Sequence, residues 1–187
     1  MKNFNQNSFK KDILQDLLDS EGFIGSKSQE NVKGKKGFFL GFRGGFTVFD
    51  LERSLTTYFK ALNLVKLFNE SSLQILFVGA PLFLENIIQK EVEKSKHIFI
   101  REDSWVLGSL TNYIQSGLSP NLIVTFNSDN SFASKECFKR GAPLISFVDD
   151  RCDITFIDYP ILVNLKSKGA SRMYYNLIKQ CSSNNNV

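Results

Sequence analysis

Short apolar segments alternate with amphipathic segments from residue 46 to residue 181, and this alternation constrains the fold of the chain more than any other feature. Residues 73–78 are almost continuously apolar, which is typical of a strand buried on both faces of a sheet. Further strands are predicted at Phe46–Phe49, Ile98–Ile100, 122–126 and Leu144–Val148. Apolar strands that alternate with helices predict a mostly parallel sheet covered on both faces.

The segments between these strands repeat apolar residues every three or four positions, as expected of helices that bury one face. Asp50 is placed to cap one helix, and Pro81 suits the first turn of the next. Helices are also predicted at 12–20 and 132–139, and an edge strand is predicted at 154–159, ended by Pro160. The predicted inward-facing residues are Leu51, Leu55, Tyr58, Leu62, Val65, Leu84, Ile87, Ile88, Val92, Ala170, Met173, Tyr174, Leu177, Ile178 and Cys181.

These patterns predict an α/β protein, a three-layer sandwich of the flavodoxin or Rossmann kind. We divide the chain into an N-terminal tail with a short helix (1–21), a basic arm rich in glycine and phenylalanine (22–47), the α/β domain (48–181) and a polar tail (182–187). Residues 1–11 are polar and are expected to be loose. The 187 residues are enough for one hydrophobic core without disulfides or metal.

The overall charge and the cysteines exclude few functions. A formal net charge of +4 suits an anionic partner but is common among other proteins. The three cysteines are widely spaced, which favours a reducing compartment over a disulfide framework or a thiolate metal site. No apolar run approaches the roughly 18 residues of a membrane helix, and the acidic N-terminus is unlike a signal or transit peptide.

The arm combines glycines with lysines, Arg43 and phenylalanines. Its cations, which include Lys33, Lys35 and Lys36, favour contacts with RNA phosphates. Its aromatic rings are suited equally to stacking on bases and to packing on the domain.

A second candidate RNA-binding stretch is Trp105 to Asn112, with the sequence WVLGSLTN. It holds the only tryptophan of the chain and ends in the polar pair Thr111 and Asn112. Burial of Trp105 in the core is as consistent with this composition as a role in binding. We interpret Thr111 and Asn112 as the RNA-facing residues and Trp105 as the residue that holds the loop in place.

Enzymatic motifs are weak in this sequence. The turn at residues 78–82 has one glycine where a dinucleotide-binding turn has three, and no GxxxxGK[ST] phosphate loop is present. His97, the only histidine, is interpreted as a solvated side chain. Asp149, Asp150, Asp153 and Asp158 follow a predicted strand and could hold magnesium, as in a receiver domain or an α/β enzyme, but Arg151 in the same turn favours backbone capping.

Five motifs in a fixed order resemble the universal family of small-subunit ribosomal protein two. They are ILFVGA (residues 75–80), WxxGxLTN (Trp105 to Asn112), PNLIVTF (120–126), RGAPLISFVDDRCD (140–153) and IDYPI (157–161). Upstream, KGKKGFFLGFRGGFTVFDLERSL (33–55) is similar to the basic, aromatic arm of that family and the start of its next helix. The resemblance covers about residues 17–180.

The resemblance implies a non-catalytic protein that binds small-subunit rRNA near the junction of head and body, next to other ribosomal proteins. The RNA-binding residues that it implies are Lys33, Lys35, Lys36, Arg43, Trp105, Thr111 and Asn112. It implies no cofactor, no metal, no membrane and no small-molecule substrate. Alternatives are a magnesium-dependent enzyme or receiver-like domain that uses Asp149, Asp150 and Asp153, and an RNA-binding regulator outside the ribosome.

The chain also departs from the family pattern. FIGS at residues 23–26 replaces a His-Phe-Gly-His element, and only residues 113–119 stand where bacterial members insert a long helical hairpin. The 18 phenylalanines and many asparagines and lysines are residues of A/T-rich codons. Together these features resemble mitochondrial members of the family, so we expect a mitochondrial matrix location. An organelle-encoded gene would explain the codon skew.

Overall fold

A computed structural model describes residues 6–27, 37–93, 95–126 and 131–182. Lys33, Lys35, Lys36 and the predicted tail from residue 183 onward lie outside these residues. The helices are α1 (Gln6–Asp19), α2 (Leu51–Glu70), α3 (Leu82–Glu93), α4 (Tyr113–Ser116), α5 (Ser131–Arg140) and α6 (Lys168–Ser182), with a single 3-10 turn at Glu102–Ser104. The strands are β1 (Phe39–Arg43), β2 (Phe46–Phe49), β3 (Ile75–Val78), β4 (Ile98–Ile100), β5 (Leu122–Thr125), β6 (Leu144–Val148) and β7 (Tyr159–Leu162).

The last five strands form one parallel sheet in the order β4-β3-β5-β6-β7. Counted within the sheet, this is the order 2-1-3-4-5 of flavodoxin-like proteins. The predicted α/β fold with a parallel sheet between helices is therefore confirmed. β1 and β2 form a separate antiparallel hairpin, and β2 also makes an antiparallel bridge between Val48 and Ile24.

One face of the sheet holds the larger core. Helices α1, α2, α3 and α6 pack over it, and stacked aromatic rings lie at its centre. Phe147 is fully buried, with its ring centroid 5.8 Å from that of Phe126 and 4.6 Å from that of Tyr174. The Tyr58 hydroxyl donates a hydrogen bond to the Met173 carbonyl at 3.0 Å, which satisfies the one polar group of that side chain.

The opposite face is covered by α5 and by the loop that contains Trp105. Leu76, Val78, Ile123 and Leu144 of the sheet meet Cys137 and Leu110 there. Burial and the Glu136 carboxylate raise the pKa of the Cys137 thiol to about 12, so this thiol is not a poised nucleophile. None of the described helices is both long and apolar enough to cross a membrane.

Several predicted boundaries and one predicted inward-facing residue were wrong. α1 begins at Gln6, and residues of the stretch expected to be loose are helical because Phe9 packs edge-on against Phe59 of α2. The edge strand is Tyr159–Leu162 and includes Pro160, because the outermost strand pairs on one side only and can tolerate a residue without an N–H. Ile87 is 36% exposed, whereas Leu84 and Ile88 on the same helix are buried.

His97 is buried, contrary to its interpretation as a solvated side chain. It is 5% exposed, and its Nδ1 accepts a hydrogen bond from the Ile75 amide at 3.3 Å. Burial and the nearby charge of Lys96 lower its pKa from 6.5 to about 4. The proton therefore binds the unfolded chain more tightly than the folded one.

His97 should make the protein less stable in weak acid. The contribution of neutral His97 to the free energy of unfolding is fully present above pH 6.5, its pKa in the unfolded chain. This contribution is lost as the pH falls towards about 4, its pKa in the folded protein. The expected loss at pH 5 is about 1–2 kcal/mol. Urea unfolding of the wild type and His97→Gln at pH 7 and pH 5 measures it, since the glutamine variant lacks this proton. Equal pH dependence in both proteins would contradict the prediction.

Candidate RNA-binding surface

The β1–β2 hairpin presents the described end of the basic arm. Arg43 ends β1 and is followed by Gly44 and Gly45, whose φ angles of +58° and +82° form a turn that residues with side chains adopt poorly. Arg43 is exposed and makes no ion pair with another described residue. The guanidinium is therefore available for an external anion.

The aromatic residues of the hairpin divide into two groups. Phe49 is 1% exposed and packs with Val148, Cys152 and Leu162, and Phe38 and Phe39 pack against the same cluster. Phe42 is 42% exposed and Phe46 is 37% exposed. Packing on the domain thus accounts for the first group, and the second remains accessible to a partner.

Two further cations lie against aromatic rings at opposite ends of the hairpin. The Arg53 guanidinium is 4.5 Å from the centroid of the Phe38 ring and donates to the Gly37 carbonyl at 3.1 Å. Lys27 Nζ lies 5.2 Å from the centroid of the Phe46 ring. The Arg53 contacts fix the base of the hairpin, whereas Lys27 adds positive charge near Arg43, because Phe46 is paired with Arg43 beside the turn.

The Asp149–Asp150 turn ties residues 25–26 to the end of β6. Asp150 is 5% exposed, and its Oδ2 accepts hydrogen bonds from the Ser26 amide at 2.9 Å and the Ser26 hydroxyl at 2.6 Å. A Cβ on Gly25 would come within 2.9 Å of the Phe49 ring, so only glycine fits this approach without displacement. The turn therefore fixes where the arm leaves the domain.

The other carboxylates of the candidate magnesium cluster serve separate partners. Asp149 accepts from the Arg151 side chain at 2.8 Å and from the Cys152 thiol at 2.8 Å. Burial alone would raise the pKa of Asp149, but these hydrogen bonds outweigh it and lower the pKa below its usual value. Asp153 accepts from Thr155, and Asp158 accepts from the Leu144 amide at 2.9 Å.

These carboxylates therefore accept hydrogen bonds within turns and from a strand amide. This agrees with the sequence-based interpretation that favoured backbone capping over a metal site. Among the described residues, no group of acidic, histidine or cysteine side chains is arranged to hold a metal ion. A cavity of about 730 Å³ does lie at the carboxyl ends of the strands, beside this turn. Its lining includes Pro81, Phe126, Asp149 and Lys166.

The Trp105 loop lies across the face of the sheet that α5 covers. Trp105 is half-buried and packs against the core of that face, which agrees with its interpretation as the residue that holds the loop. The next residues, Val106 and Leu107, are 68% and 66% exposed. Gly108 has a φ of +90° and starts a turn in which the Asn112 amide donates to the Gly108 carbonyl at 2.8 Å.

Two side chains of α5 hold this loop, and sequence reasoning assigned neither of them to it. The Glu136 carboxylate accepts hydrogen bonds from the Gly108 amide at 2.8 Å and the Leu110 amide at 2.9 Å. The Arg140 guanidinium donates to the Leu110 carbonyl at 3.3 Å and the Leu118 carbonyl at 3.0 Å. No spacing rule connects residues that are 22 to 30 positions apart, so the sequence carried no signal for these pairs.

Thr111 and Asn112, the predicted RNA-facing residues, are exposed. Arg140 draws the neighbouring Leu110 towards residues 118–119, which precede β5 at the amino-terminal edge of the sheet. The hairpin with Arg43 instead packs at the carboxyl end of β6. The structure thus places the described candidate residues in two separate regions of the surface.

These features define a flavodoxin-like α/β domain whose acidic turn and long loop are fixed by internal hydrogen bonds. Within that class, the family model for ribosomal protein S2 matches residues 17–116 and 114–184, and the chain belongs to this family. The matches cover nearly all of the chain and meet at α4. The family is one of structural ribosomal components and not a family of enzymes.

Three bacterial proteins named small ribosomal subunit protein uS2 illustrate the similarity. The protein from Chloroherpeton thalassium is 24% identical over 199 aligned residues, which cover 81% of this chain and 79% of the relative. The protein from Acidobacterium capsulatum is 23% identical over 209 residues, with 86% of this chain and 69% of the relative covered. The protein from Marinobacter nauticus is 31% identical over 101 residues, which cover 54% of this chain and 40% of the relative.

The alignments to the Chloroherpeton and Acidobacterium proteins, at 199 and 209 positions, are longer than this chain of 187 residues, because they include gaps in this chain. In the Chloroherpeton alignment about a quarter of the positions have no counterpart here. In the structure, the four-residue helix α4 and a short loop connect Asn112 to β5.

Proposed function

We propose that this protein is a structural constituent of the small ribosomal subunit, where it binds small-subunit rRNA near the junction of head and body and supports translation. Neighbouring small-subunit proteins complete its binding site. The observation that carries the proposal is the match of the ribosomal protein S2 model to residues 17–184 in two overlapping parts. The names of the three relatives agree with it.

Charge and exposure at the β1–β2 hairpin support RNA as the ligand. Arg43 lies beside a glycine turn, Lys27 lies over the Phe46 ring next to that turn, and Arg53 lies over the Phe38 ring at the base of the hairpin. Phosphate contacts of this kind depend on salt and need no catalytic group. Lys33, Lys35 and Lys36 extend the charge in the adjoining part of the arm. Thr111 and Asn112 form a second contact with the RNA, near the amino-terminal edge of the sheet, whereas the hairpin lies at the carboxyl-terminal edge.

We further propose a mitochondrial ribosome as the setting, with the protein in the matrix. The support is the codon-related skew towards phenylalanine, asparagine and lysine, together with the short connection after Asn112. The three relatives named above are bacterial, so this part of the proposal rests on the sequence itself. A sequenced locus on a bacterial chromosome would contradict it.

Sedimentation of a native lysate through a sucrose gradient tests the proposed function. The protein is expected to migrate with the small subunit in moderate salt and to be released at high salt, because phosphate contacts weaken with ionic strength. Recovery mainly as a free pool with magnesium-dependent activity would contradict the proposal. Recovery with specific transcripts and without ribosomes would instead indicate a regulator outside the ribosome.

A further inference from the structure

The backbone of the Trp105 loop is held by side chains more than by its own secondary structure. Between the 3-10 turn and α4, the amides of Gly108 and Leu110 both point to one carboxylate, that of Glu136. Glu136 is 8% exposed, so both hydrogen bonds are largely shielded from water. Charge-assisted bonds of this kind are stronger than bonds between neutral groups.

Arg140 fixes the same loop from its carbonyl side. One nitrogen of the guanidinium bonds the carbonyls of Leu110 and Leu118, and a second donates to the Ser119 hydroxyl at 2.8 Å. Glu136 and Arg140 lie one helical turn apart on α5, so both side chains reach the same loop. Leu110 is therefore held through both its amide and its carbonyl.

Thr111 and Asn112 follow Leu110 directly and lead into α4. The Asn112 side chain donates to the Gln115 side chain at 2.6 Å, and the Ser116 hydroxyl donates to the Ser109 carbonyl at 2.7 Å. The two exposed residues thus lie between an anchored residue and a short helix that is bonded back to the loop. Their backbone is already ordered before any ligand arrives.

We propose that Glu136 and Arg140 are positioning residues for RNA binding, which hold Thr111 and Asn112 in the conformation that contacts rRNA. The inference rests on the proposed function and adds two residues that touch no RNA themselves. Because the loop is ordered before binding, RNA binding does not have to be accompanied by a loss of loop conformational entropy, and the affinity is higher. Loss of the Glu136 bonds should therefore weaken RNA binding through the loop.

Glu136→Gln provides the test, because an amide keeps the size of the side chain but cannot accept from both loop amides without turning a donor towards one of them. Trp105 is the only tryptophan, so its fluorescence reports on the loop in the intact chain. We expect easier quenching of Trp105 by acrylamide and faster hydrogen exchange across residues 106–111. Affinity for a full-length small-subunit rRNA transcript should fall about tenfold.

A double-mutant cycle separates positioning from a general loss of stability. Thr111→Ala with Asn112→Ala removes the proposed contacts directly, and Glu136→Gln should then cause little further loss of affinity. Glu52→Gln, an exposed site on α2, is the charge-matched control and should leave both affinity and Trp105 quenching unchanged.

The outcomes distinguish this inference from the proposed function. If Glu136→Gln binds the transcript like wild type while the Thr111 and Asn112 variant is weakened, the positioning role is wrong and the proposed function stands. If the wild-type chain does not prefer this transcript over an unrelated RNA in moderate salt, RNA binding fails and the inference fails with it. Full additivity in the cycle would also overturn the positioning role.

Arg140→Lys keeps the test decisive if circular dichroism shows that Glu136→Gln is unfolded. A lysine retains the charge but cannot reproduce the three bonds of the planar guanidinium. It should give a smaller increase in Trp105 quenching and a smaller loss of affinity. A folded Arg140→Lys protein with a loosened loop and wild-type affinity would overturn the inference.

Discussion

Replacing Lys33, Lys35, Lys36 and Arg43 together by alanine is expected to weaken binding to small-subunit rRNA and to flatten its salt dependence. Each phosphate contact contributes roughly 0.7–0.9 to the slope of log affinity against log salt, so four contacts contribute about 3. The corresponding loss of affinity at 0.1 M salt, relative to 1 M salt, is about a thousandfold, and the difference between the two proteins should narrow as salt rises. Filter binding at four or five salt concentrations measures both quantities.

A matched variant separates the arm from net charge. It removes four exposed lysines from helices α2, α3 and α6, namely Lys60, Lys66, Lys90 and Lys179. Alanine suits these helical sites, and the total charge changes by the same amount. For this control variant, the slope of log affinity against log salt should stay close to that of the wild type. Equal slopes in the two variants would mean that RNA responds to overall charge, and the specific role of the arm would then be wrong.

Much of the fold could be predicted because the sheet is parallel and buried on both faces. Every residue of β3, β5 and β6 is buried, so these strands appear in the sequence as short continuous apolar runs. The inward faces of α2 and α6 follow directly from helical spacing. These features depend only on residues close together in the chain.

The errors occurred where long-range contacts override local patterns. The first turns of α1 contain little apolar surface, and they are stabilised by the packing of Phe9 against Phe59, fifty positions away. Pro160 would interrupt a central strand, but β7 lies at the edge of the sheet. The edge position of this strand was predicted correctly, but its bounds were not, because residues 159–162 are selected by their pairing with β6, which spacing in the sequence does not indicate.

The candidate site was harder to predict than the fold for the same reason. Capping by the aspartates after β6 could be anticipated from turn chemistry, because Arg151 lies in the same turn. The partner of Asp150 is Ser26, 124 positions away, and the partners of Glu136 lie in another loop. Hydrogen bonds of this kind depend on the assembled fold, and spacing in the sequence does not indicate them.

Phe147→Ala is expected to cause the largest loss of stability among single substitutions considered for this protein. Phe147 is fully buried between Phe126 and Tyr174, and truncation would remove both ring contacts and leave a cavity. Losses of about 3–5 kcal/mol are typical of such substitutions. For a chain of this size the melting temperature should fall by about 10 °C. Urea unfolding followed by far-UV circular dichroism gives the free energy directly.

Phe138→Ala is the matched control, because Phe138 lies on α5 with 65% of its surface exposed and contacts only the Phe156 ring among the aromatic residues described. Its loss should be below about 1 kcal/mol. Equal losses of unfolding free energy in the two variants would contradict the assignment of the core to the Phe147 face of the sheet.

Because the chain leads from Phe147 near the end of β6 directly into the turn with Asp149 and Asp150, the core variant should also loosen the Ser26 hydrogen bonds that fix the arm. Faster hydrogen exchange at the Ser26 amide in folded Phe147→Ala protein would show that core packing affects the position of the basic arm. An unchanged rate would show that Asp150 holds the arm independently of core packing.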